Sequence, residues 1–317
     1  MAGNLSSPAS SGGAGTNFEY DVAAILLSRL LRGADIPVGL HVPVAKVAFQ
    51  QSNEGFPLDD VVAWGPEDSS GSAPFIQIQV KRHIQVITSD REFIKVIGAV
   101  VAACGGQSEQ IRSRRLLFGL AARRSRTDHL DELAELTASA RAHMENGKFG
   151  DLFREHVTEK PLRDRLDVVR STVANAIGTS DAAVVDPLTH RILLALHVWL
   201  VDEGPDSRDW REEVDGLKIL AAGAGKPPDY IMAKLLLIAR QFGPRSGNVD
   251  ADHVRDTLAL SGIHLPADAT GIRQPASGTI INSYDNSTVF HSDRDMHFGS
   301  FHFGGGTSTP DDGRKTP

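Results

Sequence analysis

Between Phe56 and Lys81 the chain reads FPLDDVVAWGPEDSSGSAPFIQIQVK. An acidic pair, Asp59–Asp60, opens one apolar run. After a Gly/Ser/Pro/Asp gap, a second apolar run closes on Gln79, Val80 and Lys81. If both runs are strands, Gln79 and Lys81 project from one face and Val80 from the other, because strand side chains alternate. A carboxylate and an amide oxygen brought together this way suit Mg²⁺ or Mn²⁺. Mg²⁺ is a hard cation that takes few protein oxygens and completes its shell with water and substrate phosphate. A lysine beside them can position or help deprotonate an attacking water, and can offset negative charge in a phosphoryl transition state. The chemistry expected is metal-dependent phosphodiester hydrolysis, with Asp60, Gln79 and Lys81 at its centre.

Asp59 and Asp60 compete for the ligand role. Asp60 is favoured because it directly precedes Val61–Val62–Ala63, which puts an acid at the strand's start; alternation keeps the two from facing the same way. Glu19 is the third expected metal ligand. It shares a helical face with Val22, Ala23, Leu26 and Leu30, and a carboxylate on an apolar face is costly unless paired or metal-bound. An acid that simply answers the helix dipole is the competing explanation.

These residues need a scaffold. A helix capped by Thr16 or Asn17 runs to about Arg32, and Gly33 ends it. Strands are expected at His41–Phe49, Leu58–Trp64, Phe75–Val80 and Arg115–Ala121, with a helix from Ser89 or Asp90 to about Ala103. Beyond, helical periodicity covers 127–144, 162–177, 187–201, 209–221, 228–242 and 250–260. The expected organisation is a disordered lead (1–15), a mixed α/β domain (16–150), an all-helical domain (151–265) and a flexible tail (266–317).

Composition sets outer bounds. The chain has 317 residues, 41% hydrophobic and 23% charged, which is ordinary for a globular protein. It has no apolar run of the roughly 18–20 residues that span a bilayer, so no membrane association is expected. The lead lacks the basic and apolar regions of a signal peptide, and cytoplasmic residence is the default expectation. The one cysteine, Cys104, excludes an internal disulfide framework and a four-cysteine zinc site. A net charge of −7 argues against constitutive, tight nucleic-acid binding but not against local basic groups. Arg112, Arg114, Arg115, Arg123, Arg124 and Arg126 are expected to form such a cluster. Gly223-Ala-Gly-Lys226 lacks the full phosphate-loop spacing and reads as a helix-to-turn junction. His190, His197 and His253 read as packing or surface residues, and Cys104 as a packed small side chain.

The order of a Glu-bearing helix, a strand, an Asp-Asp strand, a Q-x-K strand, a helix and a strand resembles the core of PD-(D/E)xK nucleases. More narrowly, G-x-N-F-E-Y-x-V-A-x-x-L-L-x-x-L-L at Gly15–Leu31, L-D-D-V-V at Leu58–Val62 and I-Q-V-K at Ile78–Lys81 resemble one family. This is the dsDNA endonuclease domain of CD-NTase-associated (CBASS) bacterial defence effectors, also found fused to STAND-type NTPases. The stretch Ile192–Gly262, with I-L-L-A-L-H-V-W-L-V-D-E-G and a later Gly247-Asn-Val-Asp, is similar to the helical segment on the C-terminal side of that domain. The resemblance implies a PD-(D/E)xK nuclease-like mixed sheet with flanking helices, and Mg²⁺-dependent cleavage of double-stranded DNA, with RNA as the other nucleic acid to offer. It also implies an antiviral role, and cutting both strands calls for a homo-oligomer on activation. Gln79 stands where an acid is common, and the usual ligand-sensing domain and NTPase are missing, so a catalytically inactive adaptor is the alternative. Thr279–Phe303, with its Asn/Ser turns and β-prone dyads, resembles amyloid-signalling motifs at effector C-termini; this implies a partner NLR-like or STAND NTPase.

Overall fold

The computed structural model describes residues 13–50, 55–125, 129–143, 149–150, 159–245 and 247–266. The expected disordered lead falls mostly outside the described residues, as does all but the first residue of the expected tail. Arg126 also lies outside them.

The Asp60 and Lys81 strands lie in a six-stranded sheet. In chain order, α1 is Gly13–Arg32, β1 Lys46–Phe49, β2 Val61–Trp64, β3 Phe75–Lys81, α2 Arg91–Gly106, α3 Ser108–Arg112 and β4 Leu116–Arg123. There follow α4 Leu130–Ala142, α5 Lys160–Ile177, α6 Ala182–Ala195, β5 Leu196–Val201, α7 Arg208–Gly216 and α8 Lys218–Gly223. The last are α9 Pro228–Phe242, β6 Asn248–Asp250 and α10 Ala251–Leu260. The sheet order is β5-β4-β3-β2-β1-β6. β3, β4 and β5 run parallel, whereas β2 is antiparallel to β3, β1 to β2, and β6 to β1.

Strand alternation divides the hydrophobic residues into two cores. Ile76, Ile78 and Val80 of β3, with Leu117 and Ala121 of β4, pack under α1, α7, α8, α9 and α10. Leu116, Phe118, Leu120 and Ala122 of β4 pack on the other side, against α2, α4, α5 and α6. Between them, Gly119 leaves room that a Cβ would take from Ile78, 3.0 Å away. α1 lies along the first core with Phe18, Val22, Leu26 and Leu27 fully buried.

The expected strands β1 to β4 and helix α2 are all present, and Asp90 does cap α2 by accepting from the Phe93 N–H at 2.8 Å. Three expectations need correction. α1 begins at Gly13, so neither Thr16 nor Asn17 caps it. The stretch 187–201 is not one helix: α6 stops at Ala195 and Leu196–Val201 turns extended to pair with β4. The β-branched and aromatic sequence LHVWLV favours a strand once a parallel edge is available. The expected all-helical stretch 151–265 thus supplies both outer strands, and the sheet runs across the boundary expected near 150. Finally, the arginines do not form one cluster. Arg112, Arg114 and Arg115 precede β4 while Arg123 and Arg124 end it, about 25 Å apart at strand rise.

Candidate active site

Asp60 is the residue just before β2, and the β2–β3 register pairs Val61 with Ile78, which sets Asp60 beside Gln79. Its Oδ2 accepts two hydrogen bonds, from the Val80 backbone N–H at 2.7 Å and from Gln79 Nε2. The acid is thereby locked to β3. Lys81, two residues on, projects from the same face as Gln79. Its Nζ lies 3.3 Å from Oε2 of Glu92, in the first turn of α2.

Burial and charge shift these groups together. Asp60 has its pKa raised to about 6, chiefly by desolvation, although Lys81, the Val80 N–H and Gln79 all favour its charged form. Glu19 enters from α1 on the other side of the strand ends. Its pKa is raised to about 7 by desolvation first, then by the charge of Asp60, with Lys81 opposing and Asp59 adding. Burial also works against the Lys81 ammonium, but Asp60, Glu92 and Glu19 outweigh it and hold its pKa above the ordinary value. Lys81 therefore stays charged at neutral pH, which favours the electrostatic role over proton abstraction.

All five expected site residues belong to one neighbourhood. Asp60, Gln79 and Lys81 form its bonded centre, and Glu19 and Asp59 act on it through charge. Asp60, not Asp59, makes the bonds to β3. Two residues escaped the sequence reasoning. Glu92 holds Lys81, and the signal was its place in the first turn behind the Asp90 cap. Gln77, fully buried one alternation before Gln79, accepts from the Leu58 N–H at 3.3 Å and so anchors the approach to Asp59–Asp60. Its Nε2 has no partner among the described residues. By sequence Gln77 is an ordinary strand residue, since nothing in I-Q-I-Q-V-K distinguishes the two glutamines.

Among the described residues no three His, Cys, Asp or Glu side chains come together as a metal cage. Mg²⁺ does not need one: one or two carboxylates with water and phosphate suffice. Asp60 raises the pKa of Glu19 and burial raises both, so each carboxylate is costly to charge, and Oδ1 of Asp60 lies outside the two bonds made by Oδ2. The amide of Gln79 turns its nitrogen to Asp60; half a turn about its last bond would present Oε1 instead. Asp60 and Gln79 offer oxygen donors of the kind a hard divalent cation takes, and Glu19 is coupled to Asp60 through charge. Of the side chains given no chemical role from the sequence, Cys104, His190 and His197 are buried and His253 is at the surface. Cys104 is buried, with its thiol pushed up to about 11 by burial. His190 stacks on Phe149 at 4.6 Å and His253 meets Phe242 edge-on at 5.0 Å. Burial pushes His197 well below the usual imidazole range. No described helix is long and apolar enough to cross a membrane.

No protein-family model matches the chain, and no curated protein matches its sequence. Among solved structures it is similar to the Acinetobacter baumannii Cap4 SAVED/CARF-domain containing receptor with the cyclic trinucleotide 2'3'3'-cAAA. That likeness has 12% identity and a TM-score of 0.46 over 78% of this chain and 44% of that one. The same receptor with 3'3'3'-cAAA gives 12%, 0.46, 78% and 47%. The Moraxella osloensis Cap4 SAVED/CARF-domain containing receptor gives 11%, 0.39, 78% and 47%. The chain spans less than half the length of these receptors. Likeness at this level says nothing of ligand or activity.

Proposed function

We propose that the chain is a Mg²⁺-dependent endonuclease of double-stranded DNA that serves as an antiviral defence effector. The observation that supports it is the Asp60 carboxylate fastened to Gln79 and Val80, with a charged lysine on the same strand face and Glu19 opposite. The PD-(D/E)xK-like motif order and the family resemblance of residues 15–31, 58–62 and 78–81 supply the class of substrate.

A divalent cation held by Asp60, Glu19 and Gln79 would supply Lewis acidity toward a phosphoryl oxygen. The chain's own residues do the rest. Asp60 is fixed by two N–H donors, so its free oxygen keeps one direction without reorganising during reaction. Lys81 remains protonated and places a positive charge where negative charge grows on the phosphoryl group. Glu92 holds the ammonium in position, and Glu19, costly to charge where it is buried, would give up its proton where a cation neutralises it. Assembly into a homo-oligomer would bring two such centres to the two strands. Residues 279–303, whose sequence suggested an NLR-like or STAND NTPase partner, lie outside the described residues.

The test is degradation of supercoiled plasmid with Mg²⁺ or Mn²⁺. Lys81→Ala should lower the rate at least about a hundredfold while leaving the circular dichroism spectrum unchanged. The adaptor alternative draws on one contact, the Gln79 nitrogen rather than oxygen facing Asp60. It prevails if the wild-type chain, forced to oligomerise, leaves DNA and RNA intact.

A further inference from the structure

Because β3, β4 and β5 are parallel, their C-terminal ends share one edge of the sheet, where open α/β sheets commonly take ligands. The register pairs Lys81 with Ala122, so Arg82 follows Lys81 beside Arg123. It also pairs Arg123 with Val201, and the Arg124 N–H reaches the Val201 carbonyl at 3.2 Å. Three guanidinium-bearing residues thus end the strand of the candidate site and its neighbour. The short acidic segment that leaves β5 answers all three. Glu203 accepts from Arg82 Nε at 2.9 and 3.1 Å and pairs with Arg123 Nε at 3.2 Å. Asp202 lies 3.6 Å from Arg124 Nε, and Arg124 also reaches Asp131 at 3.7 Å.

One carboxylate serves two guanidiniums, as the buried Glu213 does for Arg29 and Arg32, but here Arg123 and Arg124 remain 43% and 56% exposed. Glu203 takes the Nε–H of Arg82 with both oxygens and faces that of Arg123 with one, donors that a phosphate oxygen would also take, and arginine is the residue suited to either. Arg82 and Arg123 end adjacent strands about 4.8 Å apart, and Arg124 stands one residue further along β4, so the group spans one or two successive phosphates at about 3.4 Å of helix axis each. The row begins at the residue after Lys81, so a backbone laid along it passes the end of the strand that carries the candidate site.

We infer that Arg82, Arg123 and Arg124 form a phosphate track for the DNA strand entering the site, and that Glu203 and Asp202 occupy it in the resting chain as internal competitors. This rests on the nuclease reading for the identity of the polyanion. Such an arrangement reconciles a chain of net charge −7 with a substrate made of phosphates. The basic surface exists but is neutralised until duplex displaces two carboxylates.

The experiment is equilibrium binding of a fluorescent duplex, followed by anisotropy in EDTA across a salt series, so that cleavage plays no part. Glu203→Gln should tighten binding roughly threefold to tenfold, since a competing charge-assisted pair is lost. Arg82→Ala with Arg123→Ala should flatten the slope of log Kd against log salt by about two, near 0.9 per phosphate contact. Should that pair fail to fold, Arg124→Ala alone should flatten it by about one. Lys218→Ala, at the end of the molecule where α1 finishes, should leave the slope unchanged. Glu203→Gln that melts lower yet binds duplex like wild type would overturn the track, as would arginine variants with the wild-type slope. If those variants bind normally and the wild type still degrades plasmid, the track falls and the nuclease stands. Variants that alter duplex binding in a chain that cuts nothing keep the track and remove the nuclease.

Discussion

Glu19→Gln should stabilise the protein in alkaline solution and leave it unchanged in acid. An unfolded glutamate titrates near 4.5, whereas Glu19 in the fold titrates near about 7. Between those values the native state holds a proton that the unfolded chain has released, so stability falls as pH rises through the window and is flat on either side. The gap corresponds to roughly 3 kcal/mol, and coupling to Asp60 and partial exposure reduce it to about 2 kcal/mol. Glutamine carries no charge to desolvate and escapes that penalty. In urea, the variant's midpoint should exceed that of wild type by about 1 M near pH 8 and match it near pH 4. Mg²⁺ supplies a second arm: it should raise the wild-type midpoint near pH 8, much less near pH 5, where protons compete for the carboxylates, and little in the variant. A difference between the two proteins that is the same at every pH would refute the reasoning, because it would mean that Glu19 is not ionising in a desolvated place next to Asp60.

Three further outcomes are expected from the packing around the site. Glu92→Gln removes the ion pair that holds Lys81 and should slow plasmid degradation about tenfold; Lys95→Ala, whose exposed ammonium meets only the outer side of Glu92, should have little effect. Gln77→Leu leaves the Leu58 N–H without its acceptor and should cost about 1–3 kcal/mol in urea unfolding, with a matching loss of activity as the Asp59–Asp60 segment loosens. Glu213 is buried between Arg29 at 2.7 Å and Arg32. Glu213→Ala should therefore lower Tm by roughly 5–10 °C in a calorimetric scan, since two guanidiniums lose a shared counter-ion.

The residues of the candidate site were legible because their geometry is local. Gln79 and Lys81 share a face by alternation alone, and Asp60 was placed by the apolar run it precedes. Glu19 could be found because an acid on the stripe of Val22 and Leu26 is an anomaly that demands a partner. Glu92 and Gln77 were not legible. An acid in a first helical turn has a sufficient local explanation, and a buried glutamine differs from an exposed one only through the strands on either side. The outer strands were hidden for a related reason. LHVWLV comes directly after helix α6, and an apolar run of that length fits either conformation until a parallel neighbour decides it. The three residues of β6 are too few to carry a period at all. The arginines misled because nearness in sequence is not nearness in space when a strand separates them.

The sheet takes its two flanking strands from late in the chain, and the helix that carries Glu19 rests on α9 and α10, which come later still. During synthesis at the ribosome the first half therefore emerges with β4 and β1 as open edges and α1 without its bed. The helix that brings Glu19 to the candidate site therefore lacks its full packing until Leu258, which lies in the same core as α1, has left the exit tunnel. A nascent or proteolytically shortened chain would expose two sticky sheet edges, and the candidate site would be complete only once α10 has been made and docked.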